Sequence, residues 1–553
     1  MSGEAGGARR APEQQARADD RLAAVAALVA LAMIAQQIAS KAVRDTLFLA
    51  AYDARELPRA MLATAGLALV GVFFLSGLLR SRGPARVVPA LFAASTALYV
   101  GEAVLVRQAP EVAAYVLYLH VGVFGSMVVS GFWSVVNERF DPHSAKRRVA
   151  RIASGATLGG VVGGLIAERV TSLFGAPAAL PVLGAITALA GLGVAALGRG
   201  TPPDATPPAE RVSGLGALRG SAYLQRIAGA VVLLAVVGAL ADFALKAQAD
   251  QELSSERELA AFFGAYYTGL SLLTFLVQSF ASRLALGRLG IGGALTLLPI
   301  AVLATSALGT FFARLWSVVV LRGAAAVLES SVHRSAYELL FTPVAPREKR
   351  PAKLVIDVAG NRLGDALGSL FVLALLAVAG TDVVSASVLA AGAAAAAALV
   401  VIARLQRGYV EQLAASLRRG DLELQDDAAA DATTRRTLAE TTMALNRERL
   451  LAEIEALRKT QGAAEEPGSA APPPELPSAL AAGAAEAPDR AQELTSQDED
   501  RVRRALVHPL DDRLLPDVLP LLAGPSRRPA ERALRRAAPR YLGQLVDALL
   551  DAQ

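Results

Sequence analysis

The chain contains no cysteine. That excludes disulfides, thiolate catalysis and every metal site built on sulfur ligands. It has no Gly-x-x-x-x-Gly-Lys-Ser/Thr phosphate loop, no Gly-x-Ser-x-Gly nucleophile turn and no His, Asp and Glu cluster at metal-ligand spacing. The sequence therefore supports neither an ATP-hydrolysing enzyme nor any other enzyme, and implies no cofactor. Charge of one sign is not in excess: 55 basic residues stand against 50 acidic ones, a net charge of +5. The basic residues sit in loops beside apolar segments, which is no nucleic-acid footprint. Aromatics make up only 5%. Alanine and glycine fill much of the apolar sequence instead, and such small residues let helices approach closely.

What the chain does have is twelve long apolar stretches in its first 405 residues. They are Leu22–Ser40, Leu57–Leu79, Val87–Val106, Val112–Val136, Ile152–Ala167, Pro177–Gly198, Ile227–Leu245, Leu259–Ala281, Gly290–Phe312, Leu315–Ser335, Leu363–Gly380 and Val383–Ala403. Most are about 20 residues, enough for a helix to cross a hydrocarbon layer of roughly 30 Å. The fold class expected is all-α: a polytopic membrane protein with lipid around it. Residues 1–20 are polar and are expected to be disordered. The stretch after them is long for a signal-peptide core, and no cleavage site precedes Lys41 and Arg44, so it is read as a retained first span.

With a cytoplasmic N-terminus, the inner connections carry 19 Lys and Arg and the outer ones 9. This bias predicts a multi-pass protein of the cell's inner membrane with both termini cytoplasmic. Four of the nine outer charges, Lys41, Arg44, Arg55 and Arg59, lie at the first outer connection. Their excess there points to a role other than topology.

The loop 199–226 contains the run Thr201–Pro208 and divides the spans six and six, into 21–198 and 227–405. A shift of 201 residues aligns Phe140 with Phe341, Pro142 with Pro343, Gly159 with Gly360 and Gly163 with Gly364. Two repeated six-helix halves are the architecture of major-facilitator-type transporters, whose site lies between the halves. Residues 406–460 then read as a soluble helical segment with Met443, Leu450 and Leu457 on one seam, followed by a Pro/Ala-rich linker at 461–492. The last segment, 493–553, resembles one or two HEAT-type helix pairs, too few to bury much core without a partner.

Charged side chains inside a membrane segment are functional candidates, because each costs at least ~2.5 kcal/mol to insert. The first group is Lys41, Arg44 and Asp45; two cations beside an acid favour an anionic solute. The second is Asp242 and Lys246, spaced i, i+4 on one helix face as a stabilising pair. Span ten carries Arg322, Glu329, His333 and Arg334, read as a structural network at least as readily as a solute contact. Glu102, His120, Tyr266, Tyr267 and Gln278 are further membrane candidates. The inner loops hold Asn137 and Glu138 before Lys146-Arg147-Arg148, and Asp357, Asn361, Arg362 and Asp365 after Lys353. These are expected to form an interdomain latch that breaks and reforms.

From Lys41 to Ser369 the chain resembles the ATP/ADP translocase family of nucleotide exchangers. Arg44-Asp45-Thr46-Leu47 with Glu56-Leu57-Pro58 is similar to that family's Lys-Asp-x-Leu and its downstream acid and proline. Phe132-Trp133, Asn137 and Ala145-Lys146-Arg147 resemble its Phe-Trp, Ala-Asn and Ala-Lys-Arg/Lys block. Asp242 and Lys246 sit where it has an acid and a lysine, and Ala352-Lys353, Ile356-Asp357, Asn361 and Leu363-Gly364 resemble its last block. The resemblance implies exchange of ATP for ADP, or uptake of other nucleotides, without hydrolysis. It places Lys41, Arg44, Asp242 and Lys246 at the substrate and Asn137, Glu138, Asp357, Arg362 and Asp365 at the inner gate. Two departures stand out: the family's span-four acid falls near Val121, beside His120, and its lysine after the last Leu-Gly is Asp365 here. They leave two other readings open. One is a proton-coupled carrier of a different organic anion. The other is a non-transporting scaffold or sensor that acts on a protein partner through its tail.

Overall fold

The computed structural model describes residues 4–139, 146–199, 214–312, 314–419 and ten positions between Leu494 and Leu534. Every regular element described is helical. The first set comprises α1 (Glu4–Ala51), α2 (Leu57–Arg82), α3 (Pro84–Gln108), α4 (Pro110–Arg139), α5 (Lys146–Phe174) and α6 (Ala179–Leu197). A short α7 (Gly214–Gly220) leads into the second set. That set comprises α8 (Ala222–Glu252), α9 (Glu256–Leu276), α10 (Ser282–Phe311), α11 (Leu315–Leu328), α12 (Arg334–Leu339), α13 (Pro346–Val355), α14 (Asn361–Ala379) and α15 (Val383–Arg419). Three π-helical turns interrupt it, at Val277–Ala281, Glu329–His333 and Ile356–Gly360.

Local chemistry sets the helix ends. Prolines stand in the first turns of α2 and α3, where a missing N–H costs nothing. Gly83 joins those two helices with φ 75°, a conformation a side chain disfavours. Ser221 caps α8, and Ser255 with Glu258 forms a full capping box on α9.

All twelve expected segments lie on helices, but among the described residues ten helical stretches are long and apolar enough to cross a membrane. Leu259–Ala281 and Gly290–Phe312 fall in one stretch, Glu256–Phe311, which non-helical backbone at Gly290 breaks. Ile152–Ala167 lies on α5, which is not among the ten, because its glycines and the flanking Arg151 and Glu168 make it less apolar. The N-terminal expectation is corrected: helix begins at Glu4 and runs through the polar segment, whose Ala, Glu, Gln and Arg are good helix formers. At the other end, α15 continues past Ala403 to Arg419. The rest of the expected helical segment and all of the linker 461–492 lie outside the described residues.

The chain divides into two compact units, Met1–Glu453 and Ile454–Gln553. In the second, Leu494, Val502, Ala505, Leu506, Leu514, Val518, Ala530, Ala533 and Leu534 share a small apolar core.

Within the first unit the two sets pack alike. In the first, α1 lies on α5 and α3 on α6; in the second, α8 lies on α14 and α10 on α15. Between the sets, α5 meets α9 and α2 meets α14, so second and fifth spans exchange partners as a two-fold relation requires. Gly163 and Gly364, aligned by the 201-residue shift, serve the same purpose in both, and glycines one turn away in each helix add to it. A Cβ on Gly155, Gly159 or Gly163 of α5 would fall 2.3, 2.3 or 2.1 Å from the carbonyl oxygens of Ala27, Leu31 and Ala35 on α1. On α14, a Cβ at Gly364 or Gly368 would meet the Cβ of Ala235 or Ala239 on α8 at 2.4 and 2.6 Å. Small residues let backbones approach this closely where no hydrophobic effect drives helices together.

The apolar core is not symmetric along the bundle. At the end carrying Ala51, one cluster runs through both sets, from Phe48, Leu57 and Tyr118 to Phe243, Phe263 and Leu321. At the opposite end it separates. Phe92, Phe132 and Val194 belong to a cluster of the first set alone, and Tyr337, Phe341 and Tyr409 to one of the second. The sets are thus sealed together at the Ala51 end and part towards the other.

Candidate functional site

Asp45, in the last turns of α1, is fully buried where the sealed region ends. Arg44 approaches its Oδ1 with Nε at 2.8 Å and Nη2 at 2.7 Å. Lys246 of α8 places Nζ 3.2 Å from the same oxygen. Tyr267 of α9 donates its hydroxyl to Oδ2 at 2.7 Å. Lys246 in turn lies 2.6 Å from Oδ2 of Asp242, and Arg322 of α11 brings Nε to 3.3 Å from Oδ1 of that carboxylate. The result is an alternating chain, Arg44–Asp45–Lys246–Asp242–Arg322, that joins the two helical sets. Tyr118 of α4 floors it: the Arg44 guanidinium lies 4.6 Å and the Lys246 ammonium 5.5 Å from its ring centroid, within cation–π range.

Exposure grades along this chain. The Asp45 and Lys246 side chains are 0% and 1% exposed, Arg44 12%, Asp242 20% and Arg322 21%. Lys41 is exposed, although it lies one turn from Asp45 and within charge–charge range of Arg44, Arg322 and Asp242. Glu329, also exposed, lies within range of Arg322 and Lys41. The cluster therefore opens in the direction in which the sets part. Nη1 of Arg322 is buried with no hydrogen-bond partner, an unused donor beside that opening. With Glu329 counted, four cations face three carboxylates, of which Asp45 is fully buried and Asp242 partly so, and the remaining positive charge suits an anion.

The structure thus brings together all four residues expected at the substrate, Lys41, Arg44, Asp242 and Lys246. It adds Asp45 as the centre, with Arg322, Tyr118 and Tyr267 around it. Arg322 carried a legible signal, a cation inside an apolar stretch. Asp45 is legible as an acid beside the cations Lys41 and Arg44, but nothing local marks that its further partners, Lys246 and Tyr267, come from two other helices, α8 and α9.

The expected gate residues do not form one group. Arg362 reaches Asp365 at 3.1 Å and, across the sets, Ser126 of α4 at 3.2 Å. Asp365 lies within charge–charge range of Glu329 and Asp242, so these two residues border the central cluster. Asp357 accepts a hydrogen bond from Tyr337, and its charged neighbours, Arg334, Lys353 and Glu338, all belong to its own set. Asn137 and Glu138 are exposed in the last turn of α4. Arg362 to Ser126 is a hydrogen bond from this group that crosses between the sets.

A second polar cluster lies within the first set. His120 of α4 places Nδ1 2.9 Å from Oε1 of Glu102 and Nε2 2.8 Å from Oγ of Ser95, both on α3.

No protein-family model and no curated protein matches the chain. Among solved structures, the nucleoside transporter NupG superposes over 70% of this chain and 98% of its own with a TM-score of 0.53 at 13% identity. The POT family transporter PepTSo does so over 71% and 99%, with a TM-score of 0.53 at 14% identity. At that identity the likeness shows the fold alone. The chain is an all-α, multi-pass membrane protein with a major-facilitator-like fold.

Proposed function

We propose that this protein is a secondary transporter that carries an anionic solute by alternating access, with Lys41, Arg44, Lys246 and Arg322 holding the anion between the two helical sets. The observation that carries this reading is the alternating chain from Arg44 to Arg322, cation-rich, contributed by both sets and placed where the sealed core ends. Binding at such a junction biases how the sets rock against each other, because the anion bonds to both. With the N-terminus cytoplasmic, the parted end faces the cytoplasm of a cell whose inner membrane holds the protein, and the conformation is inward-open.

The resemblance of the Arg44 and Asp242–Lys246 segments to nucleotide exchangers makes ATP and ADP the first solutes to test. Proteoliposomes loaded with ADP and given labelled ATP should show saturable exchange that Arg44→Ala abolishes. Absence of exchange from folded, inserted protein overturns the nucleotide assignment. Asp365, where those exchangers carry a lysine, favours a second reading in which the solute is an organic anion with less charge than a nucleoside triphosphate. Competition of labelled uptake by a panel of mono- and dicarboxylates separates the two.

A further inference from the structure

We propose that Glu102 and His120 form a proton-binding site inside the first helical set, coupled to the anion site at Arg44. Both side chains are 2% exposed. Their bond leaves Oε2 of Glu102 buried with no partner. An unpartnered carboxylate oxygen in a membrane interior is costly, and a proton on the pair removes the charge that makes it so. With one proton, held by Glu102 as a carboxylic acid beside a neutral imidazole, the pair is neutral. Without it, the pair is a buried anion.

The surroundings leave the pair as the titrating unit. Glu102 has His120 as its charged neighbour. From α3 come Ser95 and Tyr99, whose ring lies 4.5 Å from that of His120, and from α4 the edge of Phe124 at 5.2 Å. From α1 come Gln36 and Ser40, both bonded to the Tyr99 hydroxyl at 2.7 Å. Of the other packed helices, α6 has no titratable side chain, and α2 has none between Arg59 and Arg80.

Two short routes connect this pair to the anion site. Ser40 is one helical turn from Arg44 on α1, and Tyr99 lies within charge range of both Glu102 and Arg44. On α4, His120 is two residues from Tyr118, over which Arg44 sits. An anion beside Arg44 raises the affinity of the pair for a proton, and a proton on the pair raises the affinity of Arg44 for an anion, by the same factor. The step balances simply: one O–H bond forms with a proton taken from water on one side and breaks to return it on the other. The coupling rests on the anion-carrier reading; the proton site itself does not.

The test is infrared difference spectroscopy of the full-length protein in lipid between about pH 5 and about pH 8, the range over which an imidazole changes charge. A protonated-carboxyl band that titrates in the wild type and is lost in Glu102→Gln is expected. A wild-type spectrum without titration, or a Glu102→Gln spectrum that keeps the whole band, overturns the site. Should Glu102→Gln not be recovered folded, His120→Asn keeps the carboxyl and shifts the band's midpoint by at least about one pH unit; an unshifted midpoint overturns the pair. In proteoliposomes with labelled ATP as the anion probe, an imposed pH gradient should speed wild-type uptake several-fold and leave Glu102→Gln unaffected. Equal acceleration in both removes the coupling. A titrating Glu102 band with no uptake of any anion removes the carrier reading and leaves the proton site standing.

Discussion

Asp45 and Lys246 bond to each other across the two helical sets at 3.2 Å, and they are equivalents of one another: the 201-residue shift that aligns the halves carries residue 45 onto 246. The same shift carries Lys41 onto Asp242. The repeat has thus been kept in position and spacing but inverted in charge, and the two copies of one helix face neutralise each other where they meet.

Breaking this pair from one side should be worse than removing it altogether. Asp45→Asn leaves Lys246 and Arg44 without a shared carboxylate in a dry site, and Lys246→Met leaves Asp45 short of a cation. Each should cost about 3–5 kcal/mol of stability. The double variant should cost less than the sum, by a coupling of about 0.5–3 kcal/mol. Unfolding midpoints in detergent for the four members of the cycle measure it, and additive losses would show that the contact carries no energy of its own.

Arg44→Lys should fail almost as fully as Arg44→Ala in solute uptake. The guanidinium uses two nitrogens on one Asp45 oxygen and stacks on Tyr118, which an ammonium cannot do together. Initial rates of labelled-ATP exchange at sub-saturating solute should drop at least about tenfold in both, equivalent to about 1.4 kcal/mol of lost binding. A lysine variant with normal rates would show that charge alone matters there.

The crossing of α5 on α1 predicts a sharp contrast between glycines. Gly163→Ala forces a Cβ into the Ala35 carbonyl, whereas Gly66→Ala meets nothing within 4 Å. The first should lose about 1–3 kcal/mol or more through forced separation of the two helices. The second should be neutral or slightly stabilised through helix propensity. Thermal midpoints of the purified variants decide it.

Tyr337→Phe removes the hydroxyl that Asp357 accepts. Loss of that bond should cost about 0.5–1.5 kcal/mol. If the loop after α12 moves during transport, the variant should change the maximal rate and leave half-saturation nearly unaltered. A change in half-saturation alone would place Asp357 at the solute instead.

The fold was legible because its signals are periodic and local: apolar runs long enough to span a bilayer, Pro and Gly at their ends, and glycines recurring in both halves. The cation cluster was half legible for the same reason, since Asp242 and Lys246 are one turn apart. The rest depends on partners far away in sequence. Asp45 has Lys246 and Tyr267, and Glu102 has His120, a pair that forms only where α3 packs on α4. Before Asp20 polarity hides the helix, which the Ala, Glu, Gln and Arg of that segment favour by propensity.

The three π-helical turns all lie in the second set, among the described residues. Each fits one residue more than an α-helical turn into the same advance, so the chain beyond it is rotated by about 100° relative to an unbroken α-helix. Two of them bracket site residues directly, one opening on Glu329 and one ending a residue before Asn361 and two before Arg362. Returning any of these turns to α geometry turns and lengthens the helix without altering a single covalent bond. The two halves, alike in ancestry of sequence and packing, are therefore unlike as mechanical parts: one is a set of plain struts, the other a set of struts with a spare residue wound into three of them.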